Sequence, residues 1–134
     1  MLQQKSVIET KGVVEMKRDM ALVRLILLEL EKEPYSQGLI ELEIPGHTQD
    51  QISYHVMLLH EAGLIDAADL STFAGPDWKP TRLTWQGHEF LDASRDEGRW
   101  QKALNIMKDK AGVIAFDVLK ELLIQLMRNS VFGT

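Results

Sequence analysis

"HTQDQISYHVMLLHEAGLI", residues 47–65, decides how the rest of this chain is read. Thr48 stands where an N-cap hydroxyl is needed, and Gly63 stands just past the end, where left-handed backbone commonly closes a helix. Between them Ile52, Val56 and Leu59 fall at i, i+4 and i+7 and so share one side. A helix over 49–62 follows. Its inner face carries those three residues, and its open side carries Gln49, Gln51, Ser53, Tyr54, Met57 and His60. The stretch contains no lysine and no arginine; its charged residues are Asp50 and Glu61.

Upstream, Met20, Val23, Leu27 and Leu30 lie on one face of a helix over 17–33, widened by Leu22 and Ile26 and stopped by Pro34 and Gly38. "LIELEI", 39–44, alternates. Ile40, Leu42 and Ile44 point in while Glu41 and Glu43 point out, the pattern of a short strand. Downstream, "LIDAADL" reads as a strand over 64–70, "STFAGPDWKP" as a loop, and "TRLTW" as a strand over 81–85. Thr84 is placed to cap a helix over 85–96. Helices over 100–110 and 116–128 complete the chain. The order helix, strand, helix, strand, loop, strand predicts an α+β, mostly helical fold. It is a winged helix with a small three-stranded antiparallel sheet and extra C-terminal helices. The domain reading is an N-terminal extension over 1–15, a winged-helix domain over 16–98, and C-terminal helices over 99–134 that pack on it or dimerise.

Composition sets the outer bounds. The 134 residues fit one domain, long enough to bury roughly two-thirds of its unfolded surface. The absence of cysteine excludes disulfides, thiolate metal sites and cysteine nucleophiles. No apolar run is long enough to span a membrane, and "MLQQKSVIETKGVVE" has no continuous apolar core, so a cytoplasmic protein is expected. The charge is uneven. Residues 25–78 hold ten acids and one base, Lys32, whereas the flanking segments are each slightly basic. The candidate reading helix therefore sits inside an acidic block.

Two stretches resemble known regulators. "QISYHVMLLHEAGLI" is similar to the second helix of arsenic-repressor and multiple-antibiotic-resistance type regulators, and "TRLTWQGHEFLDA" to the segment after their wing, where a threonine caps a helix through T-x-x-G. A wider resemblance begins at Met16. "MKRDMALVRLILLELE", "PGHTQDQISYHVMLLHEAGLIDA", "WKPTRLTWQGHEFLDASRD" and "FDVLKELLIQLM" resemble a bacterial and phage family, domain of unknown function twenty-five thirteen, over Met16 to about Met127. That resemblance implies a winged helix without an established activity, and makes residues 1–15 an extension. One feature departs from ordinary winged helices. The place just before the reading helix is taken by "IELEIPGH", a strand and turn, so the first half of a helix-turn-helix is missing.

Two ligands fit this surface. The first is duplex DNA. Gln49, Gln51 and Ser53 could hydrogen-bond base edges, and Trp78 beside Lys79 could stack at a wing tip. Lys79, Arg82, Lys17 and Arg18 would then supply the phosphate contacts that Asp50 and Glu61 oppose. The second is a host protein. Tyr54, Met57 and Leu58 offer interface chemistry, and the acidic block suits a basic, nucleic-acid-binding surface. The protein would then be an inhibitor or antirepressor. The blander possibilities are that Tyr54 and Leu58 lie under the C-terminal helices and that Trp78 closes over the core. Catalysis finds no support, and neither a metal nor a cofactor site is expected. His55 and His60 are about 140° apart on a helix, His47 and His88 stand elsewhere, and there is no glycine-rich phosphate loop or nucleophile elbow. Finally, Phe116, Leu119, Leu122, Leu123, Leu126 and Met127 form a stripe that Val118 and Ile124 broaden beyond what one-sided packing needs. With Ala103, Leu104 and Met107 nearby, this predicts a homodimer through the C-terminal helices. The alternative is a monomer in which Val7, Ile8, Val13 and Val14 cover that surface.

Overall fold

A computed structural model describes residues 16–34, 38–111 and 115–133. Helix α1 spans Met20–Lys32. It starts three residues later than the apolar spacing suggests because the Asp19 carboxylate accepts the N–H groups of Ala21 and Leu22 and fixes the first turn there. Lys17 and Arg18 therefore precede the helix instead of opening it. Ile26 and Leu27 are wholly buried in the middle of the core.

Helix α2, Gln49–Glu61, is capped as expected. The Thr48 hydroxyl accepts the Gln51 N–H, and the Gln51 side chain accepts the Thr48 N–H, both at 3.0 Å. Gly63 ends it at φ +79°. Ile52, Val56 and Leu59 are buried.

Strands β1, Ile65–Asp69, and β2, Trp78–Leu83, form an antiparallel hairpin. The register runs from Ile65 opposite Leu83 to Asp69 opposite Trp78, and slips between Asp66 and Ala67, where β2 carries one extra residue, Thr81. β2 begins three residues earlier than expected and includes Pro80.

The expected third strand does not form: among the described residues the sheet has two strands. Residues 39–44 do run extended with the predicted alternation, Leu42 and Ile44 buried and Glu41 and Glu43 exposed. The Ile40 N–H donates to the Pro80 carbonyl at 2.9 Å. An antiparallel pair at that position would need an N–H returned from the same residue. Proline has none, so the ladder stops at one bond.

Helix α3, Trp85–Ser94, starts at the Thr84 cap. Thr84 also stitches the corner between α2 and the hairpin. Its N–H donates to the Leu64 carbonyl at 3.0 Å and its hydroxyl to the Gly63 carbonyl at 2.6 Å. Gly87, one turn into α3, lies so close that a Cβ there would overlap the Leu64 carbonyl oxygen. Helix α4, Glu97–Ala111, begins earlier than expected because the Asp96 carboxylate caps it through the Arg99 N–H, at 3.1 Å. Helix α5, Phe116–Phe132, runs one turn past its predicted end, to Gly133 at φ +74°.

Trp100, Ala103 and Met107 of α4 and Leu119 and Leu123 of α5 belong to the same buried cluster as α1, α2, β1 and α3. Two polar joints hold the helices in place. The His55 ring, 2% exposed, accepts the Asp19 N–H at Nε2, 2.8 Å away. Its proton must then sit on Nδ1, which donates to the Gln51 carbonyl at 2.8 Å. The start of α1 is thereby tied to the middle of α2. Arg24 donates to the carbonyls of Ser94 and Arg95 at 2.8 and 2.9 Å, pairs with Glu97 at 3.0 Å and lies over the Trp100 ring. The last carbonyls of α3 are satisfied by a side chain from α1.

Candidate interaction surface

The hairpin packs beside α2, and several polar groups on the two elements are already engaged. Ser53, expected on the open side, is buried, and its Oγ accepts the Trp78 N–H at 2.8 Å. On a helix Ser53 flanks the apolar stripe, and β2 comes over it. The Gln51 amide is held in the capping box, and the Gln49 Nε2 donates to the Leu42 carbonyl at 3.0 Å. Tyr54 and Met57 are half-buried, while Asp50, His60 and Glu61 are exposed. Leu58 is half-buried too, lining a groove of about 470 Å³ with Met20, Val23, Leu64 and Phe116, so neither Tyr54 nor Leu58 is sealed under the C-terminal helices.

The cations of the hairpin are paired in place. Lys79 Nζ lies 3.1 Å from Asp77 and 3.2 Å from Glu41, and these two carboxylates, Asp77 foremost, raise its pKa above the usual lysine value. Arg82 lies 2.8 Å from Asp66, its near-opposite neighbour across the sheet. Lys17 and Arg18 are exposed just ahead of α1.

Trp78 is not at the tip. It opens β2, half-buried, with its ring 5.5 Å from that of His60. The tip belongs to Phe73, a residue the sequence reading passed over. Phe73 is fully exposed, at 110% of its reference area. The loop that carries it is held by its own hydrogen bonds. Thr72 and Gly75 exchange backbone bonds at 3.1 and 3.0 Å, and the Thr72 hydroxyl accepts the Ala74 N–H at 3.1 Å. The Asp69 carboxylate accepts the Ser71 N–H and the Ser71 Oγ accepts the Asp77 N–H. Hydrogen bonds from Ser71, side chain first, hold the Asp69 carboxyl below its usual range. The sequence did carry a signal. In "STFAGPD" a single aromatic stands among turn formers, with Ala74 and Pro76 the only other apolar side chains in the stretch.

Among the described residues no group of three histidines and carboxylates is placed to hold a metal, and no helix is long and apolar enough to cross a membrane.

With this geometry fixed, similarity to other proteins adds one firm fact. Residues 17–113 match the family described as "Hypothetical protein (DUF2513)". The chain belongs to this family. The match ends before α5, short of the residue 127 that the sequence reading assigned to it. The chain is 37% identical over 107 residues to an uncharacterized protein of Haemophilus influenzae, covering 79% of this chain and 91% of that one. No solved structure matches the chain.

Proposed function

We propose that this is a non-enzymatic regulatory protein built on a winged helix, and that its α2–hairpin surface binds a basic partner protein. The winged-helix reading rests on chain order: α1, then α2, then an antiparallel hairpin whose Thr84 corner returns it to α3. The binding reading rests on one observation. Lys79 and Arg82, the bases of the hairpin, already face Asp77, Glu41 and Asp66, while Asp50, near Lys79, and Glu61, at the end of α2, are exposed. A duplex would have to displace three carboxylates to reach two cations, and phosphate neutralisation supplies most non-specific affinity. A basic protein meets the opposite balance, with Phe73, Tyr54 and Met57 supplying apolar contact among the acids. In a bacterial or phage setting, such a surface suits an inhibitor or antirepressor of a nucleic-acid-binding protein, acting in the cytoplasm.

Duplex DNA is the competing ligand. Gel retardation at low salt separates the two. No shift of duplex DNA is expected, the chain's own promoter included. A shift that weakens with salt and with Lys79→Ala plus Arg82→Ala overturns the reading.

A further inference from the structure

Helix α5 is longer than the core it covers. Its buried residues, Leu119 and Leu123, lie in its first half. From Ile124 to Phe132 no residue is buried, and Val131 and Phe132 are 70% and 73% exposed. At 100° per residue, Glu121, Gln125, Arg128 and Phe132 fall opposite Leu119 and Leu123, with Val118 on one flank and Ile124 and Val131 on the other. Val118 is also exposed. This outer face mixes apolar side chains with two acids, Asp117 and Glu121, and one base, Arg128, of which Glu121 and Arg128 lie nearest its midline, and neither Glu121 nor Arg128 forms an ion pair among the described residues.

The geometry points to a second copy of this chain as the occupant, with the two α5 helices packed antiparallel about a two-fold axis between Ile124 and Gln125. Charge decides both the partner and the orientation. Glu121 and Arg128 are two helical turns apart, about 10 Å. A parallel pair sets Glu121 against Glu121 and Arg128 against Arg128. An antiparallel pair sets Glu121 of each copy against Arg128 of the other, twice, as a two-fold contact requires. The same register sets Val118 of one copy level along the axis with Val131 of the other, on opposite flanks of the contact, at each end. The contact is then about 20 Å long, a single helix pair, which places the dimer at the weak end of specific interfaces.

Sedimentation equilibrium of the full chain up to about 100 μM tests this. A monomer–dimer equilibrium is expected. Glu121→Arg alone, or Arg128→Glu alone, should raise the dissociation constant by about tenfold, since each change turns two attractive pairs repulsive. The double swap should restore it, because it rebuilds both antiparallel pairs. Both sites are solvent-exposed, so unaltered thermal midpoints of the three variants verify that folding is intact. A full chain that stays monomeric overturns the proposal, also if deletion of residues 1–15 makes it dimerise, since the chain's own N-terminal segment is then the occupant. Single variants that dimerise like the wild type, or a double swap that fails to rescue, overturn the antiparallel register.

Discussion

Gly87→Ala puts the corner between α2, the hairpin and α3 to a quantitative test. Helix propensity alone says the change should stabilise α3 by about 1 kcal/mol, because alanine is the better helix former. Packing says the reverse. The added Cβ would overlap the Leu64 carbonyl oxygen, come 3.0 Å from its carbon and 3.3 Å from Leu83 Cδ2. The obstructing group is backbone, and it cannot swing away freely because its oxygen accepts the Thr84 N–H. α3 must therefore back off by on the order of 1 Å, with an overpacking cost of roughly 1–3 kcal/mol. Moving Thr84 strains its bonds to the carbonyls of Leu64 and Gly63, worth about 1 kcal/mol each. After the propensity gain, the net loss is about 3 kcal/mol, or a fall in thermal midpoint of about 10 °C. Gly63→Ala is the control. Nothing lies within 4 Å of its Cβ position, so only the φ of +79° opposes it, at roughly 1–2 kcal/mol. Urea unfolding followed by circular dichroism reads both. Gly87→Ala at wild-type stability, or a smaller loss than Gly63→Ala, would refute the close-approach argument.

Two further outcomes follow, one from the His55 joint and one from the ion pair between Glu31 of α1 and Arg95 at the end of α3. His55→Leu removes the acceptor of the Asp19 N–H and should lower stability by roughly 1–3 kcal/mol, whereas Asp19→Asn, which keeps a capping oxygen, should lower it by less than about 0.5 kcal/mol; equal urea midpoints for His55→Leu and the wild type would deny the joint its role. Glu31 has its pKa lowered, chiefly by its hydrogen bond to Arg95. A depressed folded pKa gives stability that is complete above the ordinary value of 4.5 and is lost as pH falls through the folded value. Both side chains are substantially exposed, so the effect should stay below about 1 kcal/mol. Thermal midpoints from pH 7 to pH 3 should therefore fall slightly more steeply for the wild type than for Glu31→Gln, and parallel curves would exclude the contribution.

Much of the frame was legible because it is set locally. Thr48 with Gln51, Gly63, and Thr84 with Gly87 mark their own turns in the chain, and the i, i+4, i+7 spacing of Ile52, Val56 and Leu59 needs no tertiary knowledge. The errors arise where distant segments meet. The alternation of 39–44 gave the right faces, yet strand formation depended on Pro80, forty residues away. Ser53 lies on the border of the apolar stripe, and only the docking of β2 decides that it is buried. The charge of Arg82 looked available because its partner Asp66 comes from another segment, and Lys79 is held both by Asp77, two residues before it, and by the distant Glu41. Phe73 went unread because periodicity says nothing about where a loop tip points.

Pro80 also governs how this hairpin can meet other chains. Its carbonyl and its hydrogen-free nitrogen both face the outer edge of β2, the side that Ile40 approaches. An exposed strand edge is the usual template for β-augmentation by a peptide and for edge-to-edge growth of aggregates. Here any incoming strand would find a gap in the middle of the ladder and the side chains of 39–44 already in its path. Recognition at this edge is left to side chains, and the missing hydrogen that prevents a third strand also keeps one copy's hairpin from templating the next.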